Sequence, residues 1–194
     1  MFGVCMKKNN NRIIDQLESL SLEEKALSSE SKYTGLVVNV RKDDVLLSNG
    51  SKHYREVVEH SGGVVIIPVI GSKVILIRQW RYPVGQQLIE LPAGKLDKGE
   101  EPFLAAQREL TEETGYTAKK WEPLGYIYTT PGFCNEKIHL YKATDLEYSG
   151  TNFDFGEIIE PFTVEIKDAM KMIKENKIVD AKTIVGLSLL NGNN

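Results

Sequence analysis

The stretch GGVVIIPVIGSKVILIRQW, residues 62–80, constrains the fold of this chain more than any other. It contains two runs, residues 64–70 and 74–77, that are almost entirely apolar and rich in Val and Ile. β-Branched side chains suit extended backbone. A strand sends successive side chains to opposite faces, so a half-wet strand alternates apolar with polar. Here both parities are apolar, and the two strands are expected to be buried on both faces. Gly71 and Ser72 join them as a turn.

The flanking segments supply the covering layers. YTGLVVNVRKDDVLLSNGSKHYREVVEHS, from Tyr33, alternates apolar with polar and carries SNGSK as a turn signal; two or three antiparallel strands are expected. QQLIELPAG reads as a further strand, closed by Pro92 and Gly94. A helix is expected to start near Pro102, with Phe103, Ala106 and Leu110 as its buried stripe. WEPLGYIYTT and KIHLYKATDL read as two strands around a Pro-Gly turn, and IIEPFTVE as another. IKDAMKMIKEN and AKTIVGLSLL read as helices, the second capped by Asp180. Residues 11–29 suggest a short helix, from Ile13, Leu17 and Leu20 at helical spacing. The order is mixed, with no internal repeat. It predicts an α+β chain: a mixed sheet between helices, with a small antiparallel β segment before it.

Length and charge narrow the function classes. A chain of 194 residues, 41% hydrophobic and 26% charged, suits one medium domain with a small appendage. The expected division is a tail over 1–32, a β segment over 33–60 and the main domain over 61–194. A net charge of −3 and the absence of a basic run give no nucleic-acid signature. No apolar run approaches the ~20 residues of a membrane span, and the N-terminus lacks a signal-peptide core. Cys5 and Cys134 lie far apart and form no metal-type spacing, as expected of a reduced, cytoplasmic protein. His53, His60 and His139 show no ligand spacing either.

The chemistry concentrates in GKLDKGEEPFLAAQRELTEETGY, residues 94–116. On a helix, Glu109 and Glu113 share a face and Glu112 lies on its edge. Arg108, four before Glu112, is placed to pair with it, which leaves Glu109 and Glu113 without a partner inside the helix. Carboxylates so crowded either raise their pKa values or hold a cation, and hard oxygen donors favour Mg²⁺ or Mn²⁺. Seven positions are fixed together: Gly94, Glu100, Arg108, Glu109, Glu112, Glu113 and Gly115. At roughly 6% per residue type, chance gives such a pattern on the order of 10⁻⁹ per window.

That pattern resembles the Nudix box, G-x5-E-x7-R-E-U-x-E-E-x-G-U, at every position but the last, where Tyr116 replaces an aliphatic residue. The likeness extends over roughly residues 35–192. It implies an α/β/α sandwich that hydrolyses a nucleoside diphosphate linked to another group. It implies Glu109 and Glu113 as the main metal ligands, with Glu112 and the Ala93 carbonyl beside them. Arg108 would orient the glutamates, Glu100 would brace the loop, and Gly94 and Gly115 would let the chain turn sharply.

Segments outside the box resemble the ADP-ribose pyrophosphatases of that family. Pro131 lies fifteen residues past Tyr116, in TTPGFCNEKIHLY, and RQWRYPVGQQLIELPAGKL and IVDAKTI add to the likeness. No segment resembles the signatures of the NADH-type or coenzyme A-type hydrolases. The resemblance implies Mg²⁺-dependent cleavage of ADP-ribose to AMP and ribose 5-phosphate. It implies a homodimer with N-terminal strands at the interface. Substrate contacts would fall to Arg81, Glu90, Pro131 and Gly132, with Tyr54 and Arg55 nearest to the family's adenine clamp. The general base would be Glu157, in FDFGEIIE, with Asp154 and Glu160 as alternatives because Phe155 and Gly156 replace the usual middle acids. Another nucleoside diphosphate sugar or an oxidised nucleotide is the alternative substrate, and a non-catalytic ADP-ribose sensor the alternative class.

Overall fold

The computed structural model describes residues 21–150 and 158–190. The chain divides into two units, residues 1–58 and 59–194. The first holds a three-stranded sheet in the order β1-β2-β3, with β1 Lys25–Thr34, β2 Asn39–Leu46 and β3 Lys52–Glu59. β1 and β2 run antiparallel from Lys25↔Leu46 to Thr34↔Asn39. The SNGSK turn joins β2 to β3 with Gly50 at φ 84°, a left-handed position that suits glycine.

β1 corrects the helical reading of residues 25–29. Ser28, Ser29 and Ser31 compete with helix formation through their own side-chain hydrogen bonds, and β2 offers the backbone a ladder instead. Ile13, Leu17 and Leu20 lie outside the described residues.

The second unit is built on one mixed sheet. Its strands are β4 Gly63–Ile70, β5 Lys73–Arg81, β6 Gln86–Glu90, β7 Ala93–Lys95, β8 Tyr116–Tyr128, β9 Lys137–Tyr148 and β10 Ile159–Glu165. The main path runs β10-β5-β4-β9-β8, with β6 on β5 and β7 on β4. β4 and β9 pair in parallel, while β4–β5, β5–β6, β4–β7, β8–β9 and β10–β5 are antiparallel. QQLIELPAG therefore makes two strands on two neighbours, divided at Leu91 and Pro92.

β4 shows why an unbroken apolar run was needed. Val64 and Ile66 pack on one face with Ala105, Ala106 and Leu110 of α1, Pro102–Thr114. Val65 and Ile67 pack on the other with Ala169 of α2, Ile166–Lys174, and Leu187 of α3, Ala181–Leu190. Each face of β4 meets its own helical layer, which makes the α/β/α sandwich. Gly186 brings α3 close to the sheet, for a Cβ there would stand 2.6 Å from Leu91 Cδ1.

α1 begins at Pro102 and ends on Gly115, whose φ of 74° is the left-handed C-terminal cap. Phe103 departs from its expected place in the buried stripe: it is 40% exposed and packs edge-on against Trp121 with ring centroids 5.5 Å apart. Ala105 takes the buried position instead. Among the described residues, no helix is long and apolar enough to cross a membrane.

Candidate active site

α1 lies against β7, and three of its polar side chains meet three successive residues of that strand. Arg108 Nη2 donates to the Lys95 carbonyl at 3.2 Å. Glu113 Oε2 accepts the Ala93 N–H at 2.8 Å. Between them, the Glu109 carboxylate lies over Gly94, where a built Cβ would fall 1.8 Å from Oε1. Gly94 is thus required for close approach. Its backbone is ordinary extended strand, which corrects the expectation of a sharp turn there; Gly115 alone of the two box glycines has the turning geometry.

Arg108 gathers the carboxylates. Its Nη1 donates to Glu109 Oε1 at 2.7 Å and to Glu112 Oε2 at 2.9 Å. Its Nε and Nη2 donate to the two oxygens of Glu100, both at 3.0 Å. Glu100 Oε2 also accepts the Asp97 N–H at 3.0 Å, which ties the loop to the helix. The hydrogen bonds that Arg108 donates to Glu100 hold the guanidinium firmly protonated and lower the Glu100 carboxyl below its ordinary range. Glu109 has this partner beside it, contrary to the expectation that only Glu112 pairs with Arg108. Neighbouring helix residues diverge, but the long guanidinium arm reaches both.

Three carboxylates, Glu100, Glu109 and Glu112, therefore share one guanidinium, with Glu113 on the Ala93 N–H beside them, and negative charge is in surplus. As the side chains stand, no three such groups among the described residues already form a ligand set; Arg108 and the Ala93 N–H hold them. The donors are all hard oxygens, and the space above Gly94 is kept clear for Glu109. That chemistry fits a divalent cation, which would compete with Arg108 for Glu109 and Glu112.

Beside this array is a cleft of about 420 Å³, lined from β4, β5, β7, the β8–β9 turn and the start of α3. Ala93, Gly94 and Lys95 line it, as do Arg81, Asp180 and Lys182. Arg81 grips the fully buried Glu90 with Nε to Oε1 at 2.7 Å and Nη2 to Oε2 at 2.8 Å. The Glu90 hydrogen bond raises Arg81 against the effect of burial. Burial in turn pushes the Glu90 carboxyl up, but the Arg81 hydrogen bond and the Lys182 charge outweigh it and keep the carboxyl low. Glu136, also in the lining, accepts from Thr129 Oγ1 at 2.7 Å and stands 3.4 Å from His60 Nδ1.

Of the residues expected from sequence, Ala93, Gly94 and Arg81 line this cleft, and Glu90, Glu109 and Glu113 support its walls. Pro131 and Gly132 are exposed in the β8–β9 turn, flanked by the cleft residues Thr129 and Glu136. Tyr54 and Arg55 belong to the first unit, where Arg55 pairs with Glu24 at 2.5 Å and Lys42 lies 4.9 Å above the Tyr54 ring. Glu157 and Asp154 lie outside the described residues. Glu160 lies on β10, exposed and paired with Arg78 at 2.6 Å. Sequence reading missed Lys182, Asp180, Glu136 and His60. Asp180 was seen only as a cap, and Lys182 only as part of IVDAKTI.

Comparison with known proteins identifies the family. The NUDIX domain family matches residues 59–185. The chain is 40% identical over 173 residues to an ADP-ribose pyrophosphatase of Bacillus subtilis, covering 88% of this chain and 94% of that protein. It is 39% identical over 171 residues to a methanol dehydrogenase activator of Bacillus methanolicus, covering 87% and 92%. In fold it is similar to a solved ADP compounds hydrolase, with a TM-score of 0.79 at 24% identity, covering 89% of this chain and 95% of that one. With the box helix docked on β7 and a family match over residues 59–185, most of the second unit, the chain belongs to the Nudix family of hydrolases.

Proposed function

We propose that this protein hydrolyses the pyrophosphate bond of ADP-ribose to give AMP and ribose 5-phosphate, using Mg²⁺, with Mn²⁺ able to substitute. The observation that carries this reading is the surplus of carboxylates on α1, packed over Gly94 at the edge of a cleft that also presents Arg81. The names of the similar proteins support a nucleoside diphosphate substrate, and ADP-ribose in particular. A cleft of about 420 Å³ lies within the ~300–1,000 Å³ of small-molecule sites.

The roles are those the resemblance to the Nudix box implies, and the contacts around Arg108, Gly94 and Glu90 support them. Glu109 and Glu113, with Glu112 and the Ala93 carbonyl, would hold the metal; when bound it would polarise the pyrophosphate and lower the pKa of the attacking water. Arg108 sets the carboxylates in register, and Glu100 fixes Arg108. Arg81 meets the negative charge of the substrate, oriented by Glu90. Pro131 and Gly132 shape the turn beside the cleft. Glu157 accepts the proton of the attacking water, and water's oxygen forms the new bond to phosphorus as the bridging oxygen leaves.

The protein is assigned as a homodimer. All ten residues of β1 are exposed, as are Leu36 and Val37 in the β1–β2 turn; three strands need a packed face to be stable, and a second copy would supply one. Tyr54 and Arg55 would then serve the adenine end. A cytoplasmic setting is the reading of the two widely spaced cysteines.

The test is a ranked panel of ADP-ribose, other ADP-sugars, GDP-sugars and oxidised nucleotides, compared by kcat/KM. ADP-ribose at the head supports the assignment; a GDP-sugar or oxidised nucleotide at the head rejects it. Tight binding of ADP-ribose without turnover would make the protein a sensor.

A further inference from the structure

Glu90 is a fully buried carboxylate at the end of β6, after Leu88 and Ile89, and it holds two cations. Arg81 uses Nε and Nη2 in its two-pronged grip, which leaves Nη1 outside it. Lys182 Nζ donates to the same Glu90 Oε2 and, at 3.0 Å, to Asp180 Oδ1. The other Asp180 oxygen accepts from the Thr183 N–H at 3.0 Å and from Thr183 Oγ1 at 2.6 Å. Thr183 Oγ1 in turn accepts the Leu91 N–H at 2.8 Å. The start of α3 is thereby tied to the strand end that carries Glu90.

The network balances two carboxylates with two cations, and Arg81, Asp180 and Lys182 all line the cleft. Without Lys182 that wall would be net negative. Glu90 would draw fully on Arg81, and a bound anion would meet a buried carboxylate that nothing else neutralises. Charge interactions in such a site are weakly screened.

We propose that Lys182 is a positioning residue for the anionic substrate: by neutralising Glu90, it leaves the outer edge of the Arg81 guanidinium as available positive charge for the diphosphate. The proposal rests on the nucleotide-sugar reading above. It assigns Lys182 an action through Glu90 and Arg81, without contact to the reacting atoms.

The experiment is a double-mutant cycle on binding, read by calorimetry in EDTA so that neither metal nor turnover enters. The full-length wild type, Lys182→Met, Glu90→Gln and the double variant are titrated with ADP-ribose, and each melting temperature is recorded. Lys182→Met is expected to weaken binding about tenfold, the scale of one charge-assisted hydrogen bond. In the Glu90→Gln background it is expected to add less than about twofold, because the carboxylate through which Lys182 acts on Arg81 is gone. Lys182→Arg, which keeps the charge, is expected to bind within about threefold of wild type.

Equal weakening in both backgrounds would overturn the proposal, since Lys182 would then act independently of Glu90. Unchanged binding in Lys182→Met would overturn it as well. If Lys182→Met melts below the assay temperature, Lys182→Gln takes its place with the same expected pattern. A wild type that binds no ADP-ribose counts against the substrate assignment, and the cycle is then run with the nucleotide sugar the wild type does bind.

Discussion

Gly94 shows how finely this site is fitted. Glycine in the box motif suggests a turn, yet the backbone there is regular strand and the need is for space beside Glu109. Gly94→Ala is predicted to push Glu109 aside and lower kcat by about a hundredfold or more, since a displacement of ~1 Å can cost that much. Steady-state kinetics beside a thermal melt checks this: an alanine enzyme with wild-type kcat would remove the close-approach argument. Spacing along the helix led to the charge crowding, but not to its internal solution. Arg108 reaches three glutamates because a guanidinium has five donors in a planar fork, a property no periodicity displays. Lys182 was harder still, for its partner Glu90 is 92 residues away in sequence. The only local signal was an acid among apolar residues in QQLIELP.

Glu90 also gives the fold a pH dependence. Its folded carboxyl is held below the ordinary value of 4.5. A lowered carboxyl contributes stability that is complete above the unfolded value and is lost as pH falls through the folded one. Stability is therefore predicted to decline below about pH 4.5, and Glu90→Gln to make that acid limb shallower. Denaturant unfolding at a series of acidic pH values measures it; parallel limbs for the two proteins would contradict the prediction.

At the scale of elements, what was legible depended on burial. β4 could be read because both its faces meet helices, so its sequence is apolar throughout. α1 could be read because Pro102 and Gly115 mark its ends. β1 could not, because every residue in it is exposed and no alternation marks a face. Gly186 illustrates a contact that only packing reveals. Gly186→Ala would place a Cβ against Leu91 and Ile67 in the core, and is predicted to destabilise by about 1–3 kcal/mol, as overpacking does. Leu110→Ala, which opens a hole between α1 and β4, is predicted to cost about 2–5 kcal/mol. Urea denaturation of the two variants tests both, and a neutral Leu110→Ala would contradict the packing of α1 on the sheet.

For the molecule as a whole, the same helix that closes one face of the sandwich carries the acidic array, so fold and chemistry share α1. The family could be recognised in the sequence because the box packs helix end, helix face and strand contact into one short segment. The charged network beside that array was not local: Arg81, Glu90 and Lys182 come from β5, β6 and α3, brought together only by the fold. The proposed dimer is predicted to appear as a doubled mass in light scattering, and a monomer at working concentration would remove the role given to β1. The central claim is tested most directly by incubating the wild type and Glu113→Gln with ADP-ribose and Mg²⁺ and quantifying AMP. The wild type is predicted to release AMP and ribose 5-phosphate in equal amounts, and the variant to be slower by about a hundredfold or more. No AMP from the wild type beside an active control, or an unchanged rate in the variant, would contradict the account.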